Sequence, residues 1–96
     1  MNSEPLDKPR RAPRWFTVYM HVVGVGGNLF FYIQAARIFA GESARDVSLP
    51  AFAVALWAVS SWFAYGVVLR NPVLIAANVV AILGAGAVVA GCLIYG

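Results

Sequence analysis

Polar side chains within the long apolar stretches of this sequence are candidates for function, and six of them stand out, together with four aromatic residues that carry a polar atom. The six are His21, Asn28, Gln34, Ser60, Ser61 and Asn78, and the aromatic residues are Tyr32, Trp57, Trp62 and Tyr65. A side-chain amide supplies both hydrogen-bond donors and an acceptor, and an indole ring supplies a flat apolar face. Together these groups can bind a small neutral molecule that carries hydroxyl groups.

The same stretches contain no aspartate and no glutamate. Without a carboxylate in the membrane we expect neither an ordinary proton relay nor a sodium site, and no acid and base pair of a hydrolase. The sequence has no nucleophile motif and no phosphate-binding loop. Its single cysteine, Cys92, excludes an internal disulfide and a cysteine metal cluster. We therefore expect no enzyme activity, no metal and no cofactor.

The composition of the chain indicates that these residues lie in a membrane protein. Of the 96 residues, 61% are hydrophobic and 11% are charged, with a mean hydropathy of +0.77, whereas about 25% charged residues are usual in a soluble domain. The sequence predicts an all-α membrane protein of one domain, with three spans of about 20 residues. The net charge is +3, and four of the seven basic residues precede Trp15. This clustering favours membrane lipid over nucleic acid as a partner.

Prolines and polar residues predict the bounds of the spans. Residues 1–14 hold three prolines and more than half of the charged residues, which is typical of a disordered basic tail. Residues 15–96 form the transmembrane domain, with spans at about 15–40, 49–69 and 72–95. The first apolar stretch is longer than the core of a signal peptide, so we expect an uncleaved span. Ser48 and Asn71, each shortly before a proline, are typical of helix starts.

The third predicted span is rich in small residues, several of them four positions apart, which lets neighbouring helices approach closely. This composition predicts that the third span lies centrally in the bundle. The small residues are Ala76, Ala77, Ala81, Gly84, Ala85, Gly86, Ala87, Ala90 and Gly91.

A short connection between the second and third spans predicts an antiparallel hairpin that turns between Arg70 and Asn71. Trp62 and Asn78 then lie level, each about 12 Å below the turn at roughly 1.5 Å per residue. Asn28 would lie roughly 7 Å deeper and could extend the same polar track. These three residues are the candidate substrate-binding residues. The alternative is structural, with a packed Trp62 and an Asn78 that bonds a carbonyl group across helices.

The segment GESARDVSLPAF at residues 41–52, then WFAYG at 62–66, RNP at 70–72 and an asparagine at position 78 resemble the SemiSWEET sugar transporters of the PQ-loop (MtN3) group. The separation of Gln34 and Ser48 is also similar to the spacing in that family. The resemblance covers residues 15–96. It implies a half-transporter of three helices that forms a parallel homodimer and carries sugars downhill, in the inner (plasma) membrane of a bacterium.

The resemblance also implies roles for single residues. Trp62 and Asn78 would contact the substrate, and Tyr65 would belong to a gate on the second-loop side, with Arg70 beside it. The family pairs an arginine with an aspartate there, but here an asparagine follows Arg70, so we expect no salt bridge within that loop.

At the position where the family has a proline before its glutamine, this chain has Ile33. We therefore do not expect the helix kink that a proline produces there. We place a hinge instead at Gly24, Gly26 and Gly27, with Gln34 as the remaining residue of the family motif.

Orientation is predicted differently by two arguments. By resemblance the amino terminus lies outside the cytoplasm. The basic residues number four in the tail and one in the second loop against two around the first loop, which favours an internal tail.

Three functions fit the sequence. The first is a homodimeric facilitator of sugars or similar small neutral solutes. The second is a membrane interaction module that transports nothing. The third is a PQ-loop transporter of another solute, such as an amino acid, with His21 as a carrier of protons. Flux that follows a pH gradient would distinguish the third function from the first.

Overall fold

The computed structural model describes residues 11–96. The helices in this range are α1 (Arg14–Gly27), α2 (Leu29–Gly41), α3 (Leu49–Leu69) and α4 (Pro72–Tyr95), and no strand occurs in it. Only Asn28 separates α1 from α2, and the two form one apolar stretch of 28 residues, Arg14–Gly41. This stretch, α3 and α4 are each long and apolar enough to cross a membrane. The predicted all-α structure with three helices that can span a membrane is confirmed, and most of the predicted tail lies outside the described residues.

Both later helices begin at the residues that the sequence predicts. The Ser48 hydroxyl accepts a hydrogen bond of 3.2 Å from the Ala51 amide at the start of α3. The Asn71 side-chain oxygen accepts bonds of 3.0 and 3.2 Å from the amides of Val73 and Leu74 at the start of α4. These amides have no partner within their own helix, so the caps fix where each helix begins.

Helix α4 lies at the centre of the bundle. It packs against α1, α2 and α3, whereas no Cα atom of α3 comes within 8 Å of a Cα atom of α1 or α2. The first span and α3 therefore flank α4 on separate sides, which confirms the predicted central position of the third span. The link between the flanking helices that the structure describes is made by side chains, with the Phe31 and Phe52 rings edge to face at 6.1 Å.

Glycines make the close approaches to α4 possible. A Cβ atom added to Gly24 would lie 2.7 Å from the Cβ of Ala77, and one added to Gly84 would lie 2.6 Å from the Cβ of Phe31. A Cβ atom on Gly91 would lie 2.8 Å from Ile38. Real Cβ atoms essentially never come this close to other atoms. The first span thus rests on α4 at three levels where a larger residue would separate the helices.

The two ends of the bundle differ in packing. Near the first loop, a buried cluster joins α2, the loop and α4, and its members are Ala35, Ile38, Ala44, Val88 and Cys92. At the opposite end, α1 contributes no buried residue, and a crevice of about 900 Å³ lies between its start and the turn from α3 to α4. The first-loop end is therefore packed more tightly than the second-loop end.

Candidate functional site

The contact between Gly66 and Leu74 sets the register of the hairpin formed by α3 and α4. A Cβ atom on Gly66 would lie 2.8 Å from the Cβ of Leu74, so the two residues are level with each other. Trp62 precedes Gly66 by four residues and Asn78 follows Leu74 by four. Each therefore lies one helical turn deeper, about 6 Å at 1.5 Å per residue. The register thus puts Trp62 and Asn78 at one level, which agrees with the depth calculated from the sequence.

Trp62 forms an exposed aromatic surface with the gate candidate Tyr65. Their rings meet edge to face at 5.7 Å, and 54% of Trp62 is exposed. Together with Ser61 they line a shallow groove of about 310 Å³ on α3. The Ser61 hydroxyl is directed back into its own helix, where it donates to the Trp57 carbonyl oxygen at 2.9 Å. The groove therefore offers a ligand mainly aromatic surface.

Asn78 lies in α4 and is 9% exposed. Its side-chain Nδ2 donates to the carbonyl oxygen of Leu74 in the preceding turn, at 2.8 Å. Its Oδ1 atom has no hydrogen-bond partner among residues 11–96. No fully buried side-chain oxygen or nitrogen in that range lacks a partner, so this oxygen reaches the surface. Asn78 can accept a hydrogen bond there and has one further N–H to donate.

Asn28 lies at the interruption of the first span, where its backbone takes φ −90° and ψ 2°. Its Nδ2 donates to the Gly24 carbonyl oxygen at 2.6 Å and to the Ala77 carbonyl oxygen of α4 at 2.9 Å. Both N–H groups of the amide are thus used within the protein. The predicted role of Asn28 in substrate binding is limited by this arrangement to its Oδ1 atom, which can accept a hydrogen bond.

Replacing Asn28 by alanine is expected to lower stability, because the bond to Ala77 joins the first span to α4. Hydrogen bonds of this kind between membrane helices contribute about 0.6 kcal/mol on average and at most about 1.7 kcal/mol. Ser61→Ala is the matched control, since the Ser61 hydroxyl bonds only within α3. Melting temperatures in one detergent compare the two variants. An Asn28→Ala protein as stable as Ser61→Ala would mean that the bond to Ala77 contributes nothing.

Tyr32 makes a second bond from the first span to α4 that the sequence did not predict. Its hydroxyl group donates to the Val80 carbonyl oxygen at 2.7 Å, and its ring lies against Gly84. Tyr32 follows Asn28 by one helical turn, and Val80 follows Ala77 by nearly one turn. A tyrosine and an asparagine spaced four residues apart are the signal that could have indicated this pair of bonds.

The hinge candidates lie in different surroundings. Gly24 packs against Ala77, so its lack of a side chain is explained by close contact. Gly26 and Gly27 have no neighbour within 4 Å of an added Cβ atom, and they directly precede the interruption at Asn28. Gln34 lies within the continuous helix α2 and lines a polar crevice beside the first loop. The interruption that the structure describes in the first span therefore follows Gly27.

The gate candidate Arg70 ends α3 in the left-handed backbone conformation, with φ 53°. Its side chain is exposed and lines the crevice at the second-loop end together with Arg11. Tyr65 lies on α3 beside Trp62, so the two gate candidates are more than one helical turn apart. His21 is half-buried in α1.

Comparisons with known proteins do not identify a relative. The chain matches no protein-family model, no curated protein and no solved structure. Within residues 11–96, no three histidine, cysteine or acidic side chains come together as ligands of a metal ion would. Trp62 and Asn78 share one level of the hairpin, but Asn78 does not line the Trp62 groove; the first offers an aromatic face and the second offers hydrogen-bonding atoms.

Proposed function

We propose that this protein is a facilitative transporter of sugars or similar small neutral solutes, and that it acts as a parallel homodimer. The observation that carries the proposal is that Trp62 and Asn78 lie at one level on the two helices of the α3 and α4 hairpin. The resemblance to SemiSWEET transporters at residues 41–52, 62–66, 70–72 and 78 supports the same assignment.

The chemistry of the pair suits a polyhydroxylated ring. The exposed Trp62 face can cover the C–H face of a sugar, while the Asn78 Oδ1 atom accepts a hydrogen bond from a hydroxyl group. No charged residue lies in α3 or α4, which favours a neutral substrate over an ionic one. The site should also discriminate against apolar molecules, because an amide that has no hydrogen-bond partner in a site without water costs free energy.

A second copy of the chain would complete the pathway. The three crevices described for residues 11–96 are all open at the surface, and the Trp62 groove lies on the outside of a single chain. Pairing two such grooves would enclose a solute between the subunits. In this mechanism the solute passes between the paired grooves, and bending of the first span beside Gly26 and Gly27 opens one end of that pathway while the other end closes.

Counterflow of labelled mono- and disaccharides into proteoliposomes tests the proposal. We expect saturable uptake by the wild type, and a loss of about tenfold or more in Trp62→Ala, because the ring surface that covers the sugar is removed. Trp57→Ala is the matched control. Trp57 is 71% exposed and points about 140° away from Trp62 around the same helix, so its loss should change uptake less than twofold, about the error of such an assay.

Crosslinking in the same preparation reports whether the dimer is intact. Absence of uptake of every sugar by a folded wild-type dimer would contradict the proposal. It would favour a membrane module without transport activity, for which Trp62 and Asn78 are packing residues. Uptake of an amino acid that follows a pH gradient would favour the proton-linked alternative.

A further inference from the structure

We propose that the crevice at the second-loop end binds the headgroup of an anionic phospholipid. The crevice has a volume of about 900 Å³ and lies between the start of α1 and the turn from α3 to α4. Its polar lining includes the side chains of Arg11 and Arg70, and its apolar lining includes Phe16, Met20, Leu69 and Val73. The two arginines lie far apart in the sequence and are brought together only by the fold.

The charge of the crevice favours a phosphate group. Arg11 and Arg70 are both exposed, and no acidic side chain of the described residues lines the crevice. The oxygen of Asn71, which also lines it, already accepts two hydrogen bonds from the start of α4. The Thr17 hydroxyl donates to the Pro13 carbonyl oxygen at 3.3 Å. Among residues 11–96, no carboxylate therefore lines the crevice with these arginines, and the planar N–H groups of a guanidinium match the oxygens of a phosphate.

The apolar lining favours a lipid over a free phosphate ion. Helices α1 and α4 begin here and α3 ends here, so the crevice lies at the level of the headgroups. Trp15 and Tyr19 are exposed beside it, as is typical of a membrane interface. Phe16 and Met20 continue the wall of the crevice down α1, where an acyl chain can lie. Basic pockets of this kind between membrane helices bind acidic lipid headgroups.

The opposite end of the bundle provides the contrast. A smaller crevice of about 350 Å³ beside the first loop is lined by Arg37 and Arg45, but also by Asp46 and by Gly41, the last residue of α2. The Asp46 carboxylate repels an anion. Two arginines thus line each crevice, but among the described residues only the second-loop crevice combines them with an apolar wall and without an acidic residue.

The test compares two double variants that remove the same charge from opposite ends of the protein. One is Arg11→Gln with Arg70→Gln, and the other is Arg37→Gln with Arg45→Gln. Each variant and the wild type are purified with phosphatidylglycerol or phosphatidylcholine of the same acyl chains. Native mass spectrometry then measures the lipid that each protein retains. Glutamine at position 70 keeps the backbone cost of the left-handed conformation the same as in the wild type.

We expect the wild type to retain phosphatidylglycerol over phosphatidylcholine. The Arg11 and Arg70 variant should bind phosphatidylglycerol about tenfold more weakly or worse, because each arginine contributes to holding the anionic headgroup. The Arg37 and Arg45 variant should bind it as the wild type does. Equal losses in the two variants, or no loss in either, would overturn the proposal. A rise in the melting temperature of the wild type with inorganic phosphate alone that equals the rise with phosphatidylglycerol would also overturn it, since that would indicate a site for free anions.

A second variant covers the case in which the glutamine variant does not fold. Arg11→Lys with Arg70→Lys keeps both charges, and it should retain phosphatidylglycerol over phosphatidylcholine with a smaller preference than the wild type. A folded lysine variant without any preference between the two lipids would also contradict a headgroup site. None of these measurements depends on transport, so a failure here leaves the proposed transport function untouched.

Discussion

Under the proposed function, replacing Asn78 by leucine is expected to abolish solute counterflow and to leave the proposed dimer intact. Leucine has nearly the shape of asparagine but offers a solute neither a donor nor an acceptor. The wild-type side chain bonds only to the Leu74 carbonyl oxygen of its own helix within the described residues, so its removal should cost at most about 1 kcal/mol of stability. The expected loss of sugar uptake, measured in proteoliposomes, is about 100-fold or more, because the site loses its polar recognition group.

Asn78→Gln is the matched variant for this prediction. It keeps the amide but moves it by one methylene group, and we expect partial uptake with a weakened apparent affinity. Crosslinking and the melting temperature must match those of the wild type for the comparison to be valid. Uptake by Asn78→Leu at the wild-type rate would refute the assignment of Asn78 to the substrate site, even if transport itself were established.

Replacing Gly84 by alanine is expected to have the largest effect on stability. The new Cβ atom would lie 2.6 Å from the Cβ of Phe31 and 2.9 Å from the Tyr32 ring. Neither contact can be relieved by rotating the end of a flexible side chain, so α2 must move away from α4. Moving Tyr32 also weakens its hydrogen bond of 2.7 Å to the Val80 carbonyl oxygen. We expect a loss of about 3 kcal/mol, from overpacking and the weakened hydrogen bond together.

Gly86→Ala is the control for Gly84→Ala. Gly86 lies in the same helix two residues later, and an added Cβ atom there meets nothing within 4 Å. Alanine favours a helix over glycine, so the melting temperature of this variant in detergent should stay the same or rise. Equal melting temperatures for the two variants would mean that α2 and α4 do not pack as closely as the structure describes.

Hydropathy and capping chemistry were sufficient to predict the helices that matter for the site. Helix α3 begins after Ser48 and α4 after Asn71, because both side chains cap the first amides of their helices. The hairpin register followed from the same short turn, since a connection of two residues leaves little freedom to shift one helix along the other. The contact between Gly66 and Leu74 agrees with that register.

The interruption at Asn28 could not be predicted from these patterns. Hydropathy is continuous through Arg14–Gly41, and the glycines before Asn28 allow a bend without locating it. What distinguishes the position is a pair of bonds from one amide, one to Gly24 and one to Ala77 in a distant part of the chain. The crevice that joins Arg11 to Arg70 is likewise a product of the arrangement around α4, because the two residues are far apart in sequence.

The central position of α4 has a consequence for biosynthesis. A ribosome delivers the first span and α3 to the membrane before α4 exists, and the backbones of those two spans do not approach each other in the folded protein. Until the 24-residue helix α4 enters the bilayer, the backbones of these two spans have no helix of this bundle to approach closely. The bundle must therefore assemble after α4 is inserted, and a chain stalled at the second loop would leave the surfaces that pack against α4 exposed to lipid and to quality control.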